Sequence, residues 1–189
     1  MARVMLLVGF IVSLALLPSS DVAAGSGNYE PPFPPRIAWS TSDARSFYVE
    51  FRARDEAGGF GHSYVTLGIV DSSGRVRQTV VAGFMPSGVR DDYWSQFGIP
   101  VAGVVGVGRS DLVRRPDVRL RIAISKANYY RIVGRILEMR RTWTTYELLL
   151  INCNSFVSEV ASAAGLRTPL LAARFPVAYV SELRTLNSP

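Results

Sequence analysis

The chain reads as an α+β protein, an antiparallel β-sheet packed against helices. Segments with period-two apolar alternation come first and segments with helical period come later, an order that segregates strands from helices. Two consecutive strand-like runs are separated only by Asp71-Ser72-Ser73-Gly74, a turn that folds them back as an antiparallel pair. No internal repeat breaks this order.

The N-terminus is expected to lie outside the fold. Arg3 supplies a positive start, Val4 to Leu17 is apolar and uncharged, and Val22-Ala23-Ala24 offers the small residues a signal peptidase reads. Residues 1–24 therefore read as a secretory signal peptide. The apolar run is short of the about 20 residues that span a bilayer, though an uncleaved anchor is the alternative. Residues 25–45 form a Pro/Gly-rich extension containing Pro31-Pro32-Phe33-Pro34-Pro35. Residues 46–189 form a single domain, whose folded part starts near Ile37 or Ser46. The expected location is secreted or periplasmic.

Phe47 to Arg54 alternates apolar and polar residues and reads as a strand. Gly58-Gly59 signals a turn. His62 to Val70 reads as the second strand and Arg75 to Gly83 as its hairpin partner, ended by Phe84 to Gly88. On that register Gly83 and Phe84 lie opposite His62. Between Arg90 and Arg115, glycines at 103, 106 and 108 suggest a strand with close backbone contacts, or a loop. Val118 to Ile124 sets Leu120 and Ile122 against Arg119 and Arg121, a half-buried strand. Ser125 then caps a helix whose stripe is Tyr129, Ile132, Val133, Ile136 and Leu137. Arg131 and Arg135 fall beside that stripe, as a solvated face does. The run from Tyr146 to Ile151 leads into a helix beginning near Cys153, with Phe156, Val157, Val160 and Ala164 inward and Gly165 as its stop. A last helix covers about Val177 to Leu186.

Hydrophobic residues make up 48% of the chain, which argues for a packed core over disorder. The net charge of +6 is spread along the chain, and Lys126 is the single lysine. Such a surface suits anionic surroundings such as cell-wall carboxylates or phospholipid head groups. No basic-aromatic motif points to nucleic acid.

Chemistry concentrates in one cysteine and one histidine. A lone thiol in an oxidising compartment cannot form an internal disulfide, so it is buried, used, or paired with another chain. Asn152 is a preferred N-cap, which places Cys153 in the first turn, where the helix dipole favours a thiolate. His62, at the start of its strand beside Gly61, supplies a base that can later protonate a leaving group. The plainer placements are a small core cysteine on an apolar stripe and a half-buried histidine at a strand edge. One Cys and one His cannot fill a tetrahedral zinc site, and no cofactor is expected.

The segments Tyr146-Glu147-Leu148 and Asn152-Cys153-Asn154-Ser155-Phe156-Val157-Ser158-Glu159-Val160 resemble the nucleophile segment of circularly permuted papain-like proteins. PPPDE-type peptidases carry a similar Asn-Cys-Asn-x-Phe, and lecithin retinol acyltransferase-like proteins a similar Asn-Cys-x-x-Phe-Val. In both the histidine precedes the cysteine, as Gly61-His62-Ser63-Tyr64-Val65 does here. The resemblance implies Cys153 as nucleophile, His62 as base, and an antiparallel sheet packed on the cysteine helix.

A third polar residue that orients the imidazole is not evident. Gln78 and Thr79 are polar but lie near the turn on the expected register. Gln78, Asn152 or a backbone carbonyl remain the alternatives, and a two-residue site is another. Oxyanion stabilisation would use the Cys153 backbone N–H plus a donor from Asn152, Asn154 or Ser155. The leading expectation is an exported amidase or peptidase acting on protein or peptidoglycan. Lipid acyl transfer or thioester cleavage is the second, to be favoured by an apolar trough beside Cys153, as an open polar groove would favour the first. A non-catalytic binding domain is the third.

Overall fold

The computed structural model describes residues 44–188, apart from 57, 58, 89, 173 and 174. The expected signal peptide and almost all of the extension lie outside the described residues. Within them the chain runs β1 (Ala44–Arg54), β2 (His62–Asp71), β3 (Val76–Pro86), α1 (Asp91–Ser95), β4 (Val101–Gly106), α2 (Arg109–Val113), β5 (Val118–Ile124), α3 (Lys126–Thr142), β6 (Thr145–Tyr146), α4 (Cys153–Ala163) and α5 (Pro176–Leu186).

Six strands form one antiparallel sheet in the order β5-β1-β2-β3-β4-β6. The first four strands are a meander, and β5 crosses back to pair with β1. Alternation decides what each face meets. Val49, Phe51 and Ala53 of β1 and Val65, Leu67 and Ile69 of β2 are buried in the core with Tyr129, Ile132, Ile136, Phe156, Val157, Val160, Tyr179 and Leu183 of the three long helices. The intervening residues of β1 are polar. There Glu50 is buried between Arg52 and Arg121, and Arg121 lies 4.3 Å from the centre of the Tyr48 ring. Tyr48 in turn lies across Gly68, where a Cβ would meet the ring at 2.2 Å. The α+β reading with an antiparallel sheet therefore holds.

Local signals explain the element ends. Ser125 accepts the Asn128 N–H at 3.1 Å, as an N-cap does. Gly165 stops α4 with φ +82, while the Leu166 N–H reaches Ala161 O and the Gly165 N–H reaches Ser162 O, both orphan carbonyls of the last turn. Gly103 confirms the close-contact reading of the valine-rich run, which is β4. A Cβ there would lie 2.6 Å from the Phe84 ring.

Three expectations change. β3 continues through Phe84 and Met85 to Pro86, because these residues pair with β4. Arg135 is not merely solvated; it donates to Glu159 and so ties α3 to α4. The hairpin register differs as well. Val70 pairs with Val76, and a one-residue shift between Ile69 and Val70 then puts Gly83 opposite Tyr64, two residues along from His62. Among the described residues, no helix is long and apolar enough to cross a membrane.

Candidate active site

The site forms where the start of β2 meets the start of α4. Arg54, the last residue of β1, pairs with His62, the first of β2. The connection ends on Gly61 at φ +79, where a Cβ would sit 2.4 Å from Arg54 O. Only glycine makes this approach without strain, and it delivers His62 directly into the strand.

Asn152 begins α4 with extended backbone. Its side-chain oxygen accepts the N–H groups of Asn154 at 2.8 Å and Ser155 at 3.0 Å, and Ser155 Oγ accepts the Asn152 N–H. The Asn152 amide donates to Leu148 O and Ala172 O. Asn154 donates to Ala172 O at 3.0 Å and accepts from Ser63 Oγ at 2.8 Å. Both asparagines are thus occupied in building the corner. Asn152 has both amide hydrogens committed, so neither the expected oxyanion role nor the orienting role suits it. Gln78 pairs with Ile69 at the turn end of the hairpin, seven residues along β2 from His62, and its side chain lies outside the described residues. Its backbone position separates it from the site.

Cys153 is buried, and its thiol interacts directly with the His62 imidazole. Burial alone pushes the thiol up. The hydrogen bond and positive charge of His62, with the Ser63 side chain and backbone, outweigh burial and hold the thiol below its ordinary range. Burial likewise lowers His62, but the Asp111 carboxylate and the Cys153 thiolate outweigh it, and the imidazole is pushed up to about 10. The two shifts have the same meaning: the thiolate–imidazolium form is favoured.

Asp111 is the residue that the sequence did not reveal. It sits on the short helix α2, buried, with Oδ2 3.6 Å from His62 Nε2. That is ion-pair distance and slightly beyond a hydrogen bond. Its other oxygen accepts from Arg54 Nη2 at 3.0 Å, and Oδ2 accepts the Gly108 N–H at 2.9 Å. Burial raises the Asp111 carboxyl, but the charges of His62 and Arg54 hold it below the usual carboxylate range. Arg54 is anchored in turn by Glu56. The available signal was Gly108-x-x-Asp111, the spacing of an N-cap and a returning carboxylate.

Tyr146 of β6 has its phenol beside Cys153, where it interacts with both the side chain and the backbone of that residue. Burial and then the neighbouring thiolate push this phenol well above its ordinary value, so it stays protonated. Phe84 packs its ring at 5.3 Å.

No family model, curated protein or solved structure matches this chain. The site therefore has to be read from its own geometry. A cysteine, a histidine and a carboxylate form one line, with a tyrosine hydroxyl beside the sulfur. Among the described residues, no group of three or more His, Cys, Asp or Glu is placed to hold a metal ion.

Gly83 supplies a direct test of this packing. A Cβ there would lie 2.7 Å from His62 Nε2 and 3.2 Å from Tyr64 Cβ. Gly83→Ala is expected to displace the imidazole and weaken its hold on the Cys153 thiolate, slowing alkylation of Cys153 at neutral pH. Alkylation rates of parent and variant would check it, and unchanged rates would mean that the ring position does not matter.

Proposed function

We propose that this protein is an exported cysteine hydrolase, an amidase or peptidase, with a fold of the permuted papain-like kind. The observation that carries the proposal is the placement of His62 between the Cys153 thiol and the buried Asp111 carboxylate. A structural cysteine in an apolar core has no need of a charged histidine or of a carboxylate behind it, and burying such charges is costly. The order of the elements, histidine strand first and cysteine helix later, supports the permuted papain-like reading, as do the segments around Cys153 and His62. The N-terminal apolar run with its small-residue site supports export.

In the proposed mechanism Asp111 faces Nε2 and leaves Nδ1 for the sulfur. Cys153 Sγ attacks the carbonyl carbon. As the sulfur attacks, the Cys153 backbone N–H and the Tyr146 hydroxyl, which face one another beside the sulfur in the free site, turn to the oxyanion in place of the asparagine donors expected from sequence. The imidazolium gives its proton to the leaving nitrogen, the C–N bond breaks, and an acyl-thioenzyme remains. Water then loses a proton to His62, attacks the thioester and releases the acid with the thiol restored. Asp111 stays ionised throughout and stabilises the imidazolium.

Trapping the acyl-enzyme tests the proposal. Incubation with an activated ester and acid quenching should give one acyl adduct, located by mass spectrometry on Cys153. An adduct on other residues alone, or none, would contradict it.

A further inference from the structure

A pocket opens directly beside Cys153. Phe60, Tyr146, Leu148, Leu149, Phe175 and Pro176 supply its apolar lining. The Phe60 and Phe175 rings stack at 5.6 Å and form one wall. Asn152 and Asn154 also border it, but their amides are engaged with Leu148 O, Ala172 O and Ser63. A polar ligand group would therefore displace existing bonds, whereas an apolar one needs no such exchange.

Two features fix what the pocket takes. The first is its size, a cavity of about 130 Å³. A closed apolar cavity of about 150 Å³ accommodates benzene; this pocket is partly open, bordered by the exposed Leu149 and Phe175, and seats a single group of about six carbons against its walls. An apolar lining is what the acyl-transfer alternative expects, but pockets for larger ligands occupy roughly 300 Å³ or more, and this one falls short of what a long acyl chain needs. The second is its position. Cys153 and Tyr146 line it, whereas His62 and Asp111 do not. The leaving group departs on the side of the imidazole that protonates it, so the pocket lies on the acyl side of the bond.

Resting on the cysteine-hydrolase reading, we propose that this pocket selects an apolar side chain of leucine to phenylalanine size on the acyl side of the scissile bond. The substrate class is then a peptide or amide whose acyl residue is a large apolar amino acid, and neither an acidic residue nor a long fatty chain.

The test uses p-nitrophenyl esters of N-acetylated Gly, Leu, Phe, Asp and Arg, with the hexadecanoyl ester as the lipid arm. Each turnover consumes one water and releases one acid and one p-nitrophenol, measured against Cys153→Ala as background. Leu and Phe esters should exceed the Gly ester by about tenfold to a hundredfold in kcat/KM, the effect of burying one such side chain. Asp and Arg esters should fall at or below Gly. Phe175→Ala should widen the pocket and reduce the preference for Leu over Gly. Equal rates across the amino acids, or a best rate with the hexadecanoyl ester, would overturn the pocket assignment while leaving Cys153 as the nucleophile. No Cys153-dependent release from any ester would remove the hydrolase reading itself. Alkylation of Cys153 by chloromethyl ketones of acetyl-Leu and acetyl-Gly reads the same selectivity where deacylation is slow; equal alkylation rates would again overturn it.

Discussion

Cys153→Ala is expected to reduce hydrolysis to background, a loss on the order of a million-fold in kcat, while the fold persists. The reason is chemical. The other side chains at the site are an imidazole, a carboxylate and a phenol held in its protonated form, and none of them replaces a thiolate as nucleophile. The stability cost should be small, because alanine keeps the helical first turn and Asn152 remains its cap through Asn154 and Ser155. Far-UV circular dichroism and thermal unfolding of the variant separate a chemical loss from a folding one. Activity retained in a folded Cys153→Ala variant would move the reaction elsewhere.

Removal of Asp111 should have the second largest effect, and it should act on stability as well as catalysis. Asp111 is buried and answers both Arg54 and His62. Asp111→Ala removes the buried carboxylate shared by Arg54 and His62, which keep only Glu56 and the Cys153 thiolate, a loss of up to about 3–5 kcal/mol for breaking a buried pair. Asp111→Asn separates the roles, because it keeps the shape and removes the charge. Its kcat should fall by up to about ten-thousandfold, as when an orienting aspartate loses its charge. The thiol should also titrate higher in Asp111→Asn, because the imidazole loses the carboxylate that keeps it protonated. A folded Asp111→Asn with unchanged kcat would make Asp111 a structural partner of Arg54 only.

Linkage gives this network a pH signature. The folded His62 is raised to about 10 from an ordinary value near 6.5. Its contribution to stability is therefore complete below pH about 6.5 and is lost as pH rises through about 10. Asp111 behaves oppositely, since its carboxyl is held low; its contribution is present above the ordinary carboxylate range and lost as pH falls through the depressed value. Thermal unfolding should show His62→Ala converging on the parent as pH approaches 10.

How much of this was legible in the chain depends on distance along it. Period-two alternation disclosed β1 and β5, the run of Tyr, Val, Thr and Ile disclosed β2, and the caps Ser125, Asn152 and Gly165 placed the ends of α3 and α4, because these are local effects within a few residues. The hairpin register is not legible in the chain, because neither the pairing of Val70 with Val76 nor the bulge between Ile69 and Val70 leaves a compositional mark. Cys153 and His62 could be singled out by residue type and by their positions at element starts. Asp111 could not, since its role depends on β5 crossing to the far edge of the sheet, which brings α2 against Arg54 and His62. Its neighbours in sequence, Ser110 and Leu112, carry no trace of that contact. Tyr146 escaped for a related reason. β6 is two residues long, and only its pairing with Val101 and Ala102 turns the phenol toward the sulfur. The size and lining of the pocket, assembled from segments near residues 60, 148 and 175, also required the fold.

The most direct measurement of the central claim is the pH dependence of Cys153 alkylation by iodoacetamide in the parent protein and in His62→Ala. A thiolate held by His62 predicts a rate that reaches its plateau well below the roughly pH 8.5 midpoint of a free thiol, with the midpoint moving up in His62→Ala. A parent midpoint at or above that of a free thiol, unchanged by His62→Ala, would contradict an activated nucleophile at Cys153.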